Sequence, residues 1–259
     1  MIRTLLLLTF WGLSILIVGP FLLLYTLLSG SVDVMYRIAT RLAITGVRLA
    51  GVSIEVRGLE NLQPGHSYIY MSNHVSNLDP PVLIPSIPGR CSVLVKKEVF
   101  RVPILGTAMK VADLVPVDRS NREAAIESVR AAAEVLRHGL NMVIFPEGTR
   151  SIDGRLLPFK KGPFHLAMEA RVPVVPVTIL GTAECWPKGT WAVRPGKATL
   201  IFHPPINPGG FPDRDALMAV VREQIASALP GDRRGPEPDS AGVAESLKII
   251  PNVSIHEKR

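Results

Sequence analysis

The first thirty residues contain the feature that most restricts how this chain can fold. Residues 4–28 read TLLLLTFWGLSILIVGPFLLLYTLL and include no charged side chain. As one helix this run would extend roughly 37 Å, more than the bilayer hydrocarbon core of about 30 Å. The Gly19-Pro20 pair predicts a kink, or a split into a shorter interfacial segment. The run therefore predicts a membrane anchor, spanning or interfacial, ahead of the remaining chain.

A cleaved signal peptide is the alternative interpretation of this run, since Arg3 precedes it. The run is long, however, and it ends without a small-residue cleavage site. Arg3 is the only charged residue before the run, whereas several arginines follow it, namely Arg37, Arg41, Arg48 and Arg57. This asymmetry predicts that the main domain lies at the cytoplasmic face of the membrane.

Residues 33–51 have the spacing of an amphipathic helix. One face is apolar and another is basic, with Met35, Ile38, Leu42 and Leu49 on the first and Arg37, Arg41 and Arg48 on the second. Such a helix lies on an anionic membrane in one interpretation and covers a protein core with its charged face in water in the other. The pattern leaves both open.

The overall composition narrows the classes of partner. The 259 residues carry a formal net charge of +7, which favours an anionic partner such as nucleic acid, a membrane surface or a phosphorylated substrate. The two cysteines, Cys91 and Cys185, have neither the spacing of a zinc site nor that of a disulfide framework. A reducing compartment is the simpler prediction.

From Val52 onward, short β-rich runs alternate with helical patterns. Six runs predict strands: VSIEVRG, SYIYMS, CSVLV, MVIFP, VVPVTIL and ATLIFH. The clearest helix is SNREAAIESVRAAAEVLRHG. The order predicts an α/β fold in which helices flank a mixed, largely buried sheet. The predicted divisions are an anchor with its basic helix (1–51), the α/β domain (52–230) and a polar, disordered tail (231–259).

The stretch SNHVSNLDPP, residues 72–81, places His74 five positions before Asp79. Residues five apart in a continuous helix differ by about 140°, so the pair meets only if a turn intervenes, and the surrounding Asn, Ser and Asp-Pro residues favour that turn. A carboxylate beside a histidine fixes its tautomer and prepares it as a general base. In the alternative interpretation Asp79 caps a helix that begins at Pro80. The two roles are compatible.

A second polar group follows a predicted strand in MVIFPEGTRS, residues 142–151. Glu147, Thr149 and Arg150 then lie at the end of the strand, where α/β proteins bind ligands, and Gly148 lets the backbone approach a ligand closely. Arginine suits a phosphate because its planar fork binds two oxygens at once. A strand-ending turn with a surface Glu–Arg pair is the alternative.

A third stretch, VKKEVFRVPILGTAMKVADLVPVDRS at residues 95–120, spaces basic residues among apolar ones. By itself this pattern is typical of a solvated basic face. The sequence contains no G-x-S-x-G element for a serine nucleophile, no H-E-x-x-H zinc motif and no P-loop spacing.

These stretches, in this order, resemble the 1-acylglycerol-3-phosphate O-acyltransferase family, whose members are lysophosphatidic acid acyltransferases. NHVSNLDP is similar to its first block, KKEVFRVPILGTAMKVADLVPVDR to its second, FPEGTRS to its third and VPVVPVTI to its fourth. LPFKKGPFHLA, between the third and fourth, is also similar. The blocks cover roughly residues 52–205, and four ordered blocks are far more specific than any one.

The resemblance implies acyl transfer from acyl-CoA or acyl carrier protein to the free hydroxyl of a lysophospholipid, without a metal or organic cofactor. It implies that His74 is the general base and Asp79 its orienting partner. Binding of the substrate phosphate is implied for Glu147, Gly148, Thr149, Arg150, Lys96 and Arg119. Lys97 competes with Lys96 for this role, and Lys96 is preferred.

Three alternatives remain at this point. The same chemistry has other acceptors, including glycerol 3-phosphate, other lysophospholipids and lyso-aminolipids. A non-catalytic protein that binds anionic membranes accounts for the charge and the anchor, but leaves the His74, Asp79, Glu147 and Arg150 set unexplained. Nucleic-acid binding has only the charge in its favour, since aromatic residues make up 6% of the chain and no recognised motif is present.

Overall fold

The computed structural model describes residues 1–117 and 122–235. The phosphate-binding role predicted for Arg119 and most of the predicted tail therefore lie outside the described residues. The α-helices are α1 (Ile2–Leu13), α2 (Gly19–Ser29), α3 (Asp33–Leu49), α4 (Asp79–Leu83), α5 (Leu105–Val111), α6 (Arg122–Arg137), α7 (Gly162–Ala170), α8 (Thr182–Cys185) and α9 (Arg214–Ser227). Short 3₁₀ turns are Leu59–Asn61, Ile84–Ser86, Lys97–Arg101, Pro208–Gly210 and Gly231–Arg233.

The strands form one mixed sheet within the described residues. They are β1 (Val52–Arg57), β2 (Ile69–Ser72), β3 (Cys91–Lys96), β4 (Val115–Val117), β5 (Asn141–Ile144), β6 (Val174–Leu180) and β7 (Gly196–Phe202). Their spatial order is β1-β7-β6-β2-β5-β3-β4. The six predicted strands and the α/β class are confirmed. The seventh, β4, escaped the sequence analysis because it has three residues, one of them a proline.

Strand direction determines where the site lies. Neighbouring pairs are parallel except for β6 and β7, so β1 and β7 run opposite to the other five strands. The carboxyl ends of β2, β3, β5 and β6 consequently meet at one edge of the sheet. The first and third sequence blocks follow β2 and β5, which are direct neighbours in register, with Ile69 opposite Met142.

A hydrophobic core covers each face of the sheet. Alternate residues of β2 enter opposite cores, Tyr70 on one face and Ile69 on the other, and all four residues of the strand are buried. Helices α3 and α4 cover the first face, and α6, α7 and α9 cover the second. Burial on both faces explains why the central strands read as continuous apolar runs.

Helices α1 and α2 are joined by one π-helical turn, Ser14–Val18, so the predicted split at Gly19-Pro20 is wrong and the predicted kink stays a prediction. The turn lies just before Pro20, whose ring nitrogen has no hydrogen to donate, so the missing helical bond falls next to an existing change in the hydrogen-bond pattern. The combined helix, Ile2–Ser29, has 28 residues and is long and apolar enough to cross a membrane. Most of its side chains are exposed.

The N-terminal helix lies alongside α3. Leu7 and Val47 are fully buried in the same core cluster, and Trp11 donates from Nε1 to the Ala43 carbonyl at 3.2 Å. Helix α3 thereby covers the core while its arginines remain exposed, which agrees with the core-covering interpretation. Contact of this exposed basic face with an anionic membrane stays a prediction.

Candidate active site

His74 lies two residues beyond the end of β2, at the edge where the parallel strands terminate. Its Nδ1 is 2.8 Å from Oδ2 of Asp79, at the start of α4. The Asp79 side chain is fully buried, whereas the His74 side chain is 18% exposed. The turn between them brings together the two residues that the sequence analysis paired, and it leaves the imidazole open to a substrate.

Asp79 is held by more than the histidine. Its Oδ2 also accepts hydrogen bonds from the backbone N–H groups of Val75 and Ser76, both at 2.7 Å, and its Oδ1 accepts from the Thr182 hydroxyl at 2.6 Å. The predicted helix cap is wrong, because α4 begins at Asp79 itself and the carboxylate binds amides that precede the helix. These bonds give both oxygens of this fully buried side chain hydrogen-bond partners and hold it in one orientation.

The imidazole is also fixed in orientation. It stacks on Phe145 with ring centroids 4.1 Å apart and planes inclined by 22°. Among the described residues, 1–117 and 122–235, the imidazole ring forms one hydrogen bond, to Asp79. Its Nε2 atom has no hydrogen-bond partner among these residues. When Nδ1 donates to the carboxylate, Nε2 carries the lone pair that accepts a proton.

The third sequence block holds the backbone of His74. The Glu147 carboxylate accepts from the His74 N–H at 2.7 Å through Oε1 and from the Leu157 N–H at 3.0 Å through Oε2. Ser151 donates its N–H to the His74 carbonyl at 2.8 Å. Both polar groups of the His74 peptide are thus bonded to residues that follow β5.

This arrangement gives Glu147 a structural role, while the phosphate-binding role implied for it stays a prediction. The side chain is 2% exposed, and both of its oxygens face backbone donors. Glu147 therefore positions the loop that carries His74, hereafter the histidine loop, through these two backbone hydrogen bonds.

Burial raises the pKa of Glu147 from its ordinary value of 4.5 to about 7, the backbone N–H groups of Leu157 and His74 opposing the rise. Because the folded pKa lies above the unfolded one, the stability linked to this group is full below about pH 4.5 and is lost as the pH rises through about 7. The loss amounts to about 3 kcal/mol.

Glu147→Gln is expected to remove this pH-dependent component while lowering stability at all pH values, since one amide N–H would face another donor. Denaturant unfolding of both proteins in detergent across this pH range measures it. A wild-type slope that persists in Glu147→Gln would show that another group causes the dependence.

The remaining predicted phosphate ligands lie around the same edge. Arg150 donates from Nη1 to Oδ1 of Asn77 at 2.5 Å and is half-buried, and Thr149 is exposed. Gly148 adopts a φ of 70°, the left-handed conformation that the tight turn after β5 requires. Lys96 ends β3 and is exposed, with Nζ 3.6 Å from Glu98.

A cavity of about 760 Å³ opens beside the third block. Its walls are largely apolar, and they include Glu147, Gly148 and Thr149 together with Lys160. The Lys160 N–H donates to the Pro146 carbonyl at 2.7 Å, which fixes this lysine next to the block. Within the described part of the chain, no group of His, Cys, Asp or Glu side chains has the arrangement of a metal site.

Comparison with known proteins connects this geometry to a family. A family described as Acyltransferase matches residues 53–180. The 1-acyl-sn-glycerol-3-phosphate acyltransferase alpha of Mus musculus is 31% identical over 208 residues, 76% of this chain and 73% of the mouse protein. The crystal structure of the 1-acyl-sn-glycerophosphate acyltransferase PlsC from Thermotoga maritima superposes with a TM-score of 0.74 at 31% identity, covering 86% of this chain and 93% of that one.

The chain belongs to the 1-acyl-sn-glycerol-3-phosphate acyltransferase family. The enzyme of that name from Limnanthes alba is 44% identical over 160 residues, which are 61% of this chain and 56% of the plant protein. The chain thus spans between about half and two thirds of the length of the plant relatives it matches.

Other residues of this acyltransferase-family site were missed by the sequence analysis. The Asn73 side chain bonds both backbone groups of Ile179 in β6, at 2.8 and 2.9 Å, and so ties the histidine loop to the next strand. Buried Arg222, in α9, donates to the Leu157 carbonyl at 2.8 Å and supports the segment whose N–H binds Glu147. Thr182, whose hydroxyl binds Asp79, was also missed, although its position just after β6 is a signal that could have identified it.

Thr182→Val is expected to lower acyl transfer about tenfold, because it preserves shape but leaves Oδ1 of buried Asp79 without its donor. Thr182→Ser keeps the hydroxyl and should restore most of the rate. Steady-state kcat of the three proteins, with unfolding curves to check the fold, provides the test. Equal kcat in Thr182→Val and Thr182→Ser would show that the hydroxyl does not matter.

Proposed function

We propose that this chain transfers a fatty acyl group from an acyl thioester to the free hydroxyl of 1-acylglycerol 3-phosphate, which yields phosphatidic acid. The observation that carries the proposal is the oriented His74–Asp79 pair, with Nδ1 bonded to a buried carboxylate at 2.8 Å and Nε2 open. Family membership supports the choice of acceptor, since the plant, mouse and Thermotoga relatives are all named for 1-acylglycerophosphate acylation.

In the proposed mechanism, Nε2 of His74 takes the proton from the acceptor hydroxyl as its oxygen attacks the thioester carbonyl carbon. The tetrahedral intermediate then expels the thiolate, the carbon–sulfur bond breaks, and the imidazolium returns its proton to the leaving sulfur. Asp79 stabilises the imidazolium throughout. Because a thioester is already activated, neither a covalent enzyme intermediate nor a cofactor is required. Acyl-CoA and acyl carrier protein both supply this thioester.

Arg150 is the proposed main ligand of the acceptor phosphate. In the described residues its side chain donates one hydrogen bond, to Asn77, so its other N–H groups are available to two phosphate oxygens. Lys96, at the end of β3, and Lys160, on the cavity wall, supply further positive charge at this edge. Arg119 keeps its predicted role as part of the proposal.

The protein is proposed to be held at the cytoplasmic face of a membrane by the Ile2–Ser29 helix. Both halves of this helix, α1 and α2, contact α3, and Gly19 of α2 lies against Ile104. The α/β domain therefore packs against the side of the helix. A perpendicular crossing would draw the exposed arginines of α3 into hydrocarbon, which is costly. The arrangement favours a helix lying in the membrane interface with its apolar outer face in lipid.

A purified-enzyme assay that crosses two donors with four acceptors tests the proposal. The donors are acyl-CoA and acyl carrier protein, and the acceptors are lysophosphatidic acid, glycerol 3-phosphate, a lysophosphatidylcholine and a lyso-aminolipid. Phosphatidic acid formed from lysophosphatidic acid should dominate. Preference for the phosphate-free lyso-aminolipid would overturn the acceptor, and lipid binding without consumption of either donor would favour the non-catalytic alternative.

A further inference from the structure

Two large apolar side chains in the α/β domain are exposed to solvent. Trp191 is 77% exposed and Ile152 is 79% exposed. Among the described residues after Gly30, they are the large hydrophobic residues with more than half of their surface exposed. By contrast, Trp186 is buried, and its Nε1 donates to the Thr190 carbonyl.

The exposure of Trp191 belongs to a well-defined segment, residues 187–195. Thr190 donates its N–H to the Pro187 carbonyl at 3.2 Å, and Arg194 donates to the Cys185 carbonyl at 2.8 Å. Together with the bond from Trp186, these contacts fix the segment on both sides of Trp191. The indole is therefore held outward by a supported loop.

The loop at residues 187–195 connects the N-terminal anchor to the catalytic edge, the sheet edge where β2 and β5 end and His74 lies. Val193 donates its N–H to Oγ1 of Thr4, in the first turn of α1, at 2.8 Å. On its other side, Lys188 donates from Nζ to the carbonyl of Arg150 at 2.6 Å. Ile152 follows Arg150 by two residues, and the intervening Ser151 is bonded to His74. Ile152 is thus next to a residue bonded to His74, and Trp191 is three residues from the lysine that binds the Arg150 carbonyl.

The chemistry of this loop fits a membrane interface. Tryptophan is enriched at the boundary between lipid and water, where its ring is apolar and its N–H remains hydrated. Residues 187–196 contain Lys188 and Arg194 and no acidic residue, which suits anionic headgroups. The exposed apolar residues Ile2 and Leu5 of α1 flank Thr4, so the loop continues the surface of the anchor.

We infer that Trp191 and Ile152 form a second membrane-contact surface, which inserts into the lipid headgroup region and presses the mouth of the active site against the bilayer. The surface places His74 where a lysolipid can reach it without leaving the membrane. The need for lysolipid access rests on the proposed function, but contact with lipid does not.

Fluorescence of the full chain reconstituted in vesicles tests the contact. The vesicles contain phosphatidylcholine and phosphatidylglycerol, with or without bromine on the acyl chains near the headgroups. Subtracting the emission of Trp191→Phe from that of the wild type isolates Trp191 from Trp11 and Trp186. The brominated lipid should quench this difference emission, and aqueous iodide should not. Quenching by iodide without quenching by bromine would overturn the inference.

A kinetic measurement tests whether this surface helps a membrane-bound lysolipid to reach His74. For Trp191→Ser, the apparent KM for lysophosphatidic acid presented in vesicles should rise about tenfold, with kcat unchanged for a short-chain acceptor dissolved as monomer. Leu59→Ser is the matched control, because Leu59 is 37% exposed and follows β1, whose carboxyl end lies at the opposite edge of the sheet. Equal KM values in Trp191→Ser and Leu59→Ser would count against the surface.

The two measurements separate this inference from the proposed function. Absence of acyl transfer in the wild type would refute the proposed function while the fluorescence still reported lipid contact. An active wild type whose Trp191 emission is accessible to iodide would refute the surface alone.

Discussion

Replacement of His74 by Ala is expected to lower kcat for acyl transfer roughly 10³-fold, since a positioned general base typically contributes 10²- to 10⁴-fold. The fold should survive, because Asp79 keeps its bonds to Val75, Ser76 and Thr182 when the imidazole is removed. Radiolabelled acyl transfer by the purified variant in detergent or vesicles measures the effect.

His165→Ala is the matched control for this experiment. His165 lies in α7, and its side chain is 60% exposed, with Nε2 3.6 Å from Oε2 of Glu169. It should retain wild-type turnover and a wild-type unfolding curve. A His74→Ala protein that turns over as fast as His165→Ala would refute the assignment of the base.

Asp79→Asn should reduce kcat by a similar factor, roughly 10²- to 10⁴-fold, through the loss of negative charge beside the imidazolium. Its amide oxygen can still accept from His74, Val75 and Ser76, while its amide nitrogen donates to the Thr182 hydroxyl. The variant should therefore remain folded and bind lysolipid.

Measurement of kcat together with the unfolding midpoint separates catalysis from stability in Asp79→Asn. The control is Asp215→Asn, which removes a half-exposed carboxylate paired with Lys161 at 3.0 Å, a pair worth little on a surface. A folded Asp79→Asn variant with kcat close to that of Asp215→Asn would show that the carboxylate charge is not needed.

The parts of the site that the sequence predicted are local. His74 and Asp79 are five residues apart and separated by turn-forming residues, and both the first and third blocks follow apolar strands. Parallel neighbours in an α/β sheet bring such strand ends together, so the meeting of the two blocks followed from the predicted class of fold. The family resemblance implied the roles of His74 and Asp79, and the structure adds the distance between their side chains.

The parts that the sequence did not predict depend on long-range contacts. Glu147 and the His74 amide it binds are 73 residues apart, and Thr182 and Asp79 are 103 apart. From its residue type and its position after a strand, Glu147 was predicted only to be a polar group at a ligand site. Only the burial of its carboxylate against two backbone donors reveals its positioning role. The sequence also could not show that the Asp79 carboxylate accepts hydrogen bonds from residues before α4, because this depends on how the turn between His74 and Asp79 folds.

The packing of α1 also bears on how this protein can be engineered. Leu7 belongs to the buried core, Arg3 donates to the Ala50 carbonyl at 3.1 Å, and Thr4 accepts the Val193 N–H. The hydrophobic N-terminus is therefore not a modular tag that can be trimmed for solubility or exchanged between relatives. Any shortened version would need new residues to refill the core and to replace the Thr4 acceptor.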